Sequence, residues 1–131
     1  MAETVMEKWH RMLKSGERTL LDELLDDNAV FHSPVVHTPQ RGKEIVKLYL
    51  GGASKVFGEA KFKYLREVES GNNCVLEFEA EIDGIYINGI DMIQWNDQGK
   101  ITDFKVMIRP LKAVNMVHQK MMAMLEKLKG A

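Results

Sequence analysis

The sequence contains few of the residues that indicate a disulfide-linked or membrane protein. Among its 131 residues there is a single cysteine, Cys74, so no disulfide can form within the chain. A lone cysteine is typical of a reducing compartment, and we expect a cytoplasmic protein. No apolar run approaches the ~18–20 residues of a membrane-spanning helix, and the amino terminus lacks the apolar core of a signal peptide. We therefore expect no association with a membrane.

Charge of one sign is also lacking. Lysine and arginine number 18 against 19 acidic residues, which gives a net charge of −1. A nucleic-acid-binding domain would be expected to carry a basic face, so we expect no nucleic-acid partner. The chain also lacks a glycine-rich phosphate loop and any histidine and cysteine spacing typical of a zinc site. We therefore expect no cofactor and no metal.

What is present is the composition of an ordinary globular protein. Apolar residues make up 45% of the chain and charged residues 28%. The length suits one domain with one core, so we assign residues 1–131 to a single domain. No repeat, linker or low-complexity segment divides it.

The amino-terminal part reads as helical. The first helix is predicted by apolar residues spaced three and four apart, which are Met6, Trp9, Met12 and Leu13. Thr4 is expected to cap this helix and Gly16 to end it. A short second helix is indicated by the leucine pairs 20–21 and 24–25, and residues 26–28 are expected to end it.

A short strand and a third helix follow. Residues 29–33 predict a strand that Pro34 closes, because proline cannot donate a hydrogen bond to a neighbouring strand. Residues 35–41 read as a loop, and a helix is predicted to begin at Gly42. The pair Gly51-Gly52 should weaken or end that helix.

Alternation with a period of two begins at Glu59 and predicts a strand. Phe62, Tyr64, Arg66 and Val68 are expected to share one face of it. The next strand has the clearest alternation in the chain, with Leu76, Phe78, Ala80 and Ile82 facing inward and Glu77, Glu79, Glu81 and Asp83 outward. Asp83-Gly84 is a favoured two-residue hairpin turn.

A long hairpin is predicted between residues 85 and 109, with its turn at residues 97–99. Asp91 lies in the middle of its first strand, where a carboxyl group must be accommodated by its neighbours. The second strand is expected to place Phe104, Val106 and Ile108 on one face and Ile101, Asp103, Lys105 and Met107 on the other. A final helix is predicted from residue 111 to residue 128.

The order of these elements, α-α-β-α-β-β-β-β-α, predicts an α+β fold. We expect a curved, mostly antiparallel sheet wrapped around the amino-terminal helices, with the carboxy-terminal helix added. Such a sheet leaves a hollow between the two layers.

Four features give the chain a family resemblance: the helix stop at Gly16, the segment AVFHSPV, the helix start at Arg41-Gly42, and the segment GIDMIQWNDQGKI. In these features the chain resembles the SnoaL-like and ketosteroid-isomerase-like members of the nuclear transport factor 2 superfamily, over nearly its whole length. The resemblance implies a cone-shaped fold whose pocket holds a small hydrophobic molecule. It also implies a homodimer through the outer sheet face, where Val75, Ile101 and Met107 would be available.

The resemblance to ketosteroid isomerase can be followed residue by residue. That enzyme uses a carboxylate base together with a tyrosine and a protonated aspartic acid that bind the substrate oxygen. The aspartic acid corresponds to Asp91, the tyrosine to Trp9 and the base to Ser33. A serine without a partner base cannot take a proton from carbon near neutral pH. We therefore do not expect ketosteroid isomerase activity.

The polyketide-cyclase branch resembled by the chain moves protons with an acidic residue and a nearby histidine. His32 and His37 are the available histidines. Strand alternation places His32 on the face opposite Ser33, and the position of His37 is left open. Arg109 is interpreted either as an anion-binding residue at the pocket mouth or as an outward-facing partner in a salt bridge.

Two function hypotheses remain. In the first, the protein is a cofactor-independent isomerase, cyclase or dehydratase, with Asp91 as the acid/base or as the donor to a substrate oxygen. In the second, it is a non-catalytic module for binding a small hydrophobic ligand or for dimerisation, and Asp91 is structural. Both hypotheses place the same residues around the pocket, which are Trp9, Leu13, His32, Ser33, Phe78, Phe104, Val106 and Ile108.

Overall fold

A computed structural model describes residues 3–58 and 61–129, and in this part of the chain four helices and six strands form an α+β fold. The helices are α1 (Val5–Ser15), α2 (Arg18–Leu24), α3 (Lys43–Phe57) and α4 (Leu111–Lys129). The strands are β1 (Leu25–His32), β2 (Gln40–Arg41), β3 (Lys63–Ser70), β4 (Asn73–Ile82), β5 (Ile85–Trp95) and β6 (Ile101–Arg109). Over the residues so described, no helix combines the length and the apolar character needed to cross a bilayer.

The six strands make one curled, open sheet in the order β2-β1-β6-β5-β4-β3. Strands β1 and β6 run parallel, and every other neighbouring pair is antiparallel. The helices and the inner face of the sheet enclose the core, and β3 forms one edge. The predicted fold class is confirmed.

Helix α1 begins as the sequence predicted. The Thr4 hydroxyl accepts a hydrogen bond from the backbone N–H of Glu7, and the Glu7 carboxylate accepts one from the backbone N–H of Thr4. Such a capping box satisfies two backbone donors that the first helical turn leaves free. Met6, Trp9 and Met12 are buried, whereas Leu13 is 43% exposed and does not belong to the inward stripe.

The short second helix ends one residue earlier than the leucine pairs suggested, and β1 begins directly at Leu25. Residues 26–28 were predicted to end the helical segment, but they lie within this strand. Helix α3 also differs, because it runs through Gly51 and Gly52 as far as Phe57. Gly52 is buried against Met121 and Leu125 of α4, so the glycine provides room for a neighbouring helix rather than a helix end.

A β-bulge in β3 changes which side chains share a face. Tyr64 pairs with the inward-facing Phe78, whereas Arg66 pairs with the outward-facing Glu77. Leu65 is the extra residue, and one inserted residue reverses the alternation of everything after it. The prediction that Tyr64, Arg66 and Val68 share one face is therefore wrong, and Tyr64 faces inward while the other two face outward.

A second bulge lies between β5 and β6. Ile101 pairs with Trp95 and Asp103 pairs with Gln94, so Thr102 is the extra residue. Ile101 is consequently fully buried in the core and is not available on the outer face, where the sequence had suggested it. Phe104 is buried on the inner face as predicted, with Val106 and Ile108 packed against the core.

Other predictions from sequence are confirmed. Asp83 and Gly84 both have positive φ, as a tight hairpin turn between β4 and β5 requires. Alternate residues of β4 are buried from Leu76 to Ile82, and Glu77 and Glu79 face outward. Their basic partners on β3 are Arg66, which lies 2.6 Å from the Glu77 carboxylate, and Lys63, which lies 3.3 Å from the Glu79 carboxylate.

Gly89, in the middle of β5, allows an unusually close approach of its neighbours. A Cβ atom at this position would collide with the Met107 carbonyl oxygen and would lie 2.7 Å from Ile108 Cγ2 and 2.8 Å from Phe78 Cζ. The carbonyl belongs to the adjacent strand and cannot be displaced cheaply.

We therefore expect Gly89→Ala to lower the free energy of unfolding by about 1–3 kcal/mol, the usual cost of overpacking a core. The matched control is Gly52→Ala, whose Cβ would lie 3.4 Å from Met121 Cε in ordinary contact. Because alanine is favoured over glycine within a helix, this control should gain about 0.5–1 kcal/mol. Urea unfolding measures both variants, and equal stability of the two would contradict this account of Gly89.

Candidate functional site

Asp91 is a buried carboxyl group at the centre of the sheet. It lies on the inner face of β5, flanked by Leu76 of β4 and Val106 of β6, and it is only 8% exposed. Among the described residues, the buried polar or charged side chains are Asn88 and Asp91. Asp91 is thus the one buried carboxyl group in that part of the chain.

A short chain of hydrogen bonds ends on this carboxyl group. The Tyr64 hydroxyl donates to Asp91 Oδ2 at 2.8 Å, and the Trp9 indole N–H donates to the Tyr64 oxygen at 3.2 Å. Trp9 comes from α1, Tyr64 from β3 and Asp91 from β5, so three separate elements build the group. Over residues 3–58 and 61–129, Tyr64 is the only side-chain partner of Asp91, and Oδ1 has none.

Burial dominates the electrostatics of the site. It raises the pKa of Asp91 from 3.8 to about 7, and the hydrogen bond from Tyr64 opposes this rise. Burial also raises the pKa of Tyr64 well above its usual value of 10, and the nearby Asp91 charge adds to the effect. Near neutral pH, Tyr64 is therefore a permanent O–H donor, while Asp91 populates both its neutral and its ionised form.

Aromatic side chains surround the hydrogen-bonded group. The Phe62 ring lies edge-on to Tyr64 and stacks on Phe78, with centroids 5.2 Å apart in both pairs. The Trp9 ring contacts Phe104, with ring centroids 5.1 Å apart. These walls keep the surroundings of the carboxyl group apolar, which suits recognition of a small apolar molecule with one polar group.

The structure brings together most of the residues that the sequence assigned to the pocket. Trp9, Phe78 and Phe104 are buried on the inner side with Asp91, and Val106 and Ile108 pack against the same core. Leu13 is not part of this group because its side chain points to solvent.

Ser33 follows β1, at the position of the base in ketosteroid isomerase. Its hydroxyl oxygen accepts hydrogen bonds from the backbone N–H groups of Val35 (3.1 Å) and Val36 (3.3 Å). Serine commonly stabilises a turn in this way. The hydroxyl is thus engaged with the backbone, and no contact with Asp91 is present.

His32 and Arg109 lie on the outer side of the sheet. His32 alternates with the buried Phe31, and its Nε2 lies 2.8 Å from Asp103 Oδ1. Arg109 Nε donates to Asn88 Oδ1 at 3.0 Å. Neither residue reaches Asp91, and His37 is exposed in the loop before β2.

Tyr64 is the site residue that sequence reasoning missed. Alternation grouped it with Arg66 and Val68, because the bulge at Leu65 leaves no mark in the pattern. One signal was available, because Tyr64 follows the apolar Phe62 by two residues. The neighbouring strand β4 carries apolar residues on its inner face and acidic residues on its outer face. An inward tyrosine could then have been considered as a partner for Asp91.

The outer face carries a separate polar chain across four strands. Arg66 Nε donates to Glu77 Oε1 at 2.6 Å, Asn88 Nδ2 donates to Glu77 Oε2 at 3.1 Å, and Arg109 extends the chain through Asn88. A shallow cleft of about 430 Å³ lies here, between these side chains and apolar residues of the same strands.

In the described ranges, no three His, Cys, Asp or Glu side chains are arranged to hold a metal ion.

Comparison with known proteins places this geometry in a family. The sequence model of the SnoaL-like domain matches residues 6–104. A steroid delta-isomerase from Pseudomonas aeruginosa is 34% identical, with a TM-score of 0.91 over 97% of this chain and 93% of that one. An uncharacterised bacterial protein of cystatin-like fold from Silicibacter pomeroyi is 28% identical, with a TM-score of 0.84 over 92% of this chain and 84% of that one.

A putative SnoaL-like polyketide cyclase from Jannaschia shares the fold at 12% identity, with a TM-score of 0.68 over 83% of this chain and 88% of that one. No curated protein sequence is significantly similar to the chain.

The raised pKa of Asp91 has a consequence for stability. The folded protein holds the carboxyl proton up to about pH 7, whereas the unfolded chain releases it near pH 3.8. Between these values the folded state binds more protons, so its free energy of unfolding must fall as the pH rises and remain lower above pH 7.

We expect Asp91→Asn to remove this slope. Asparagine keeps an acceptor for Tyr64 without a titrating charge, so the variant should be more stable than the wild type at pH 8 by about 2–4 kcal/mol. Near pH 4 the difference should disappear. Urea unfolding between pH 4 and 8 measures it, with the exposed Glu81→Gln as control. A wild-type slope retained in Asp91→Asn would contradict the raised pKa.

Proposed function

Because the chain belongs to the SnoaL-like family of the nuclear transport factor 2 superfamily, we propose that it binds a small hydrophobic carbonyl compound inside the cone and moves a proton on it with Asp91. The observation that carries this proposal is the buried Asp91 carboxyl group with one oxygen bonded to Tyr64 and the other without a side-chain partner. Its apolar surroundings and its pKa of about 7 suit proton transfer at neutral pH.

The reaction would begin at the carbon next to the carbonyl group. Ionised Asp91 takes a proton from this carbon, an enolate forms, and neutral Asp91 returns the proton to another atom of the same molecule. Isomerisation, cyclisation and dehydration can each start from such a deprotonation. Because one carboxyl group serves as both acid and base, this reaction does not require a second base at Ser33.

A different role for Asp91 is donation of a hydrogen bond to the carbonyl oxygen by its neutral form. The two roles have opposite pH dependence. A base is active in its ionised form, so the rate would rise as the pH passes through about 7, whereas a neutral donor would lose activity over the same range.

The similarity to a protein described as a steroid delta-isomerase supports the isomerase class. The Ser33 hydroxyl, already bonded to two backbone N–H groups, argues against a base at that position. We therefore infer that any isomerase activity of this chain does not follow the ketosteroid isomerase arrangement.

Non-catalytic binding of a small hydrophobic ligand is the second candidate. It is favoured by the engagement of Ser33 with its turn and by the presence of a single buried carboxyl group among the described residues. Asp91 would then be the polar anchor of an otherwise apolar site.

Deuterium exchange separates these candidates. We expect the protein to speed the exchange of hydrogens next to the carbonyl group of cyclohexanone, 1-tetralone or larger fused-ring ketones in D₂O, followed by proton NMR. Asp91→Asn should lose about a hundredfold or more of this rate, the usual contribution of a general base.

The matched control for this experiment is Asp103→Asn, which removes a carboxyl group on the outer face. Ketone-induced shifts of inner-face resonances without exchange would indicate the binding module. If none of these ketones gives either shifts or exchange, the assignment of a carbonyl ligand is contradicted.

The outer sheet face is proposed as the homodimer surface. Val68, Val75 and Met92 form one row across β3, β4 and β5, and Ile90 and Met107 form the next. Val68 and Met107 are 65% and 44% exposed. An apolar patch of this kind, bordered by charges, is typical of an interface.

Charge supports a second copy of the chain as the occupant. Glu79 and Glu81 face outward from β4, whereas Lys105 and Arg109 belong to the outward side of β6. A twofold axis parallel to β5, between two facing sheets, would place β4 of each copy near β6 of the other, as a self-complementary interface requires.

We expect a dimer in sedimentation velocity experiments at micromolar concentration, and Met107→Glu should weaken it at least tenfold, because a carboxylate would be buried in the apolar patch. The control is Met122→Glu on α4, where the methionine is 49% exposed. A monomeric wild type, or equal effects of the two substitutions, would refute the assignment of this face.

A cytoplasmic location also remains a proposal. It is supported by the lone cysteine, which is buried and takes part in no disulfide, as is usual in a reducing compartment.

A further inference from the structure

Two hydrogen bonds link helix α1 to strand β3. The inner one joins the Trp9 indole N–H to the Tyr64 hydroxyl at 3.2 Å, and the outer one joins His10 Nε2 to Glu67 Oε1 at 2.6 Å. The His10 ring also lies edge-on to Tyr64, with centroids 5.7 Å apart and planes at 86°. His10 is thus adjacent to Trp9 in the chain and in contact with Tyr64 in space.

The position of these bonds is significant because β3 is an edge strand. Its one neighbour within the sheet is β4, and most of its side chains are exposed. We call the contact between α1 and β3 that these two hydrogen bonds form the seam, and it lies between solvent and the interior. From solvent inward, the exposed His10 and Glu67 pair comes first, the Trp9 and Tyr64 pair second, and the buried Asp91 last.

We propose that His10 and Glu67 are positioning residues, which hold Trp9 and Tyr64 over Asp91 and limit the access of water and ligand to its carboxyl group. This inference rests on the proposed function, because it treats Asp91 as the group that a ligand must reach. Neither His10 nor Glu67 bonds to Asp91, so both act through the inner pair.

The expected effect is moderate. The side chains of His10 and Glu67 are 43% and 39% exposed. An exposed pair typically shifts an equilibrium between two states by about fivefold or less. Removing the pair should therefore increase the population in which the seam is open without unfolding the protein.

The first readout is the accessibility of Trp9. In a Trp95→Phe background, Trp9 is the sole tryptophan, and acrylamide quenching of its fluorescence reports the opening of the seam. We expect the quenching constant to rise about twofold to fivefold in His10→Ala and in Glu67→Ala, in line with the effect of an exposed pair.

The second readout is the titration of Asp91, followed by carbon-detected NMR of its carboxyl group. Burial is the main cause of its raised pKa, so admission of water should move the titration midpoint downward in both variants. A purely structural link between α1 and β3 would leave this midpoint unchanged.

The matched control is Arg11→Ala, since Arg11 follows His10 on the same helix and forms an exposed pair with Glu3 at 2.8 Å. This control should leave both readouts at their wild-type values. Wild-type behaviour of either readout in His10→Ala and Glu67→Ala would overturn the proposal, and so would equal changes in the control. Because neither readout uses a ligand, such a failure is distinguishable from failure of the ketone experiments.

Discussion

The burial of the Asp91 carboxyl group is the constraint on which the inner side of the sheet depends. A carboxyl group in apolar surroundings is costly unless it is neutral or hydrogen-bonded. Here Tyr64 supplies the hydrogen bond and burial favours the neutral form. Tyr64 reaches Asp91 only because the bulge at Leu65 lets it face inward while Arg66 faces outward. The irregularity of β3 is therefore part of the site.

The same bulge separates two chemistries on one sheet. Inside, Trp9, Tyr64 and Asp91 form a polar group enclosed by aromatic rings. Outside, Arg66 joins the charged chain that crosses the sheet beside apolar side chains. A strand of regular alternation would have placed Tyr64 and Arg66 on the same side. The two faces of the sheet therefore differ in chemistry, with a buried carboxyl group on the inner face and a charged chain on the outer face.

Local signals in the sequence predicted much of this fold, because each has a local physical cause. The Thr4 cap, the Asp83-Gly84 turn and the alternation of β4 depend on neighbouring residues alone. The bulges at Leu65 and Thr102 depend on pairing between strands, so the alternation within a single strand does not predict their positions. Asp91 was recognised because a carboxyl group amid apolar residues is conspicuous, whereas its partner Tyr64 was not.

The cost of Asp91 to the stability of the fold helps to choose between the two candidate functions, proton transfer and simple ligand binding. Asparagine at position 91 could accept the same hydrogen bond from Tyr64, and it would avoid the cost of ionising a buried carboxyl group near pH 7. A module that only anchors an apolar ligand would gain from that exchange. A protein that moves protons needs a group able to gain and lose one at its working pH, at a cost in stability. The carboxyl group at this position therefore favours the acid/base role over simple binding.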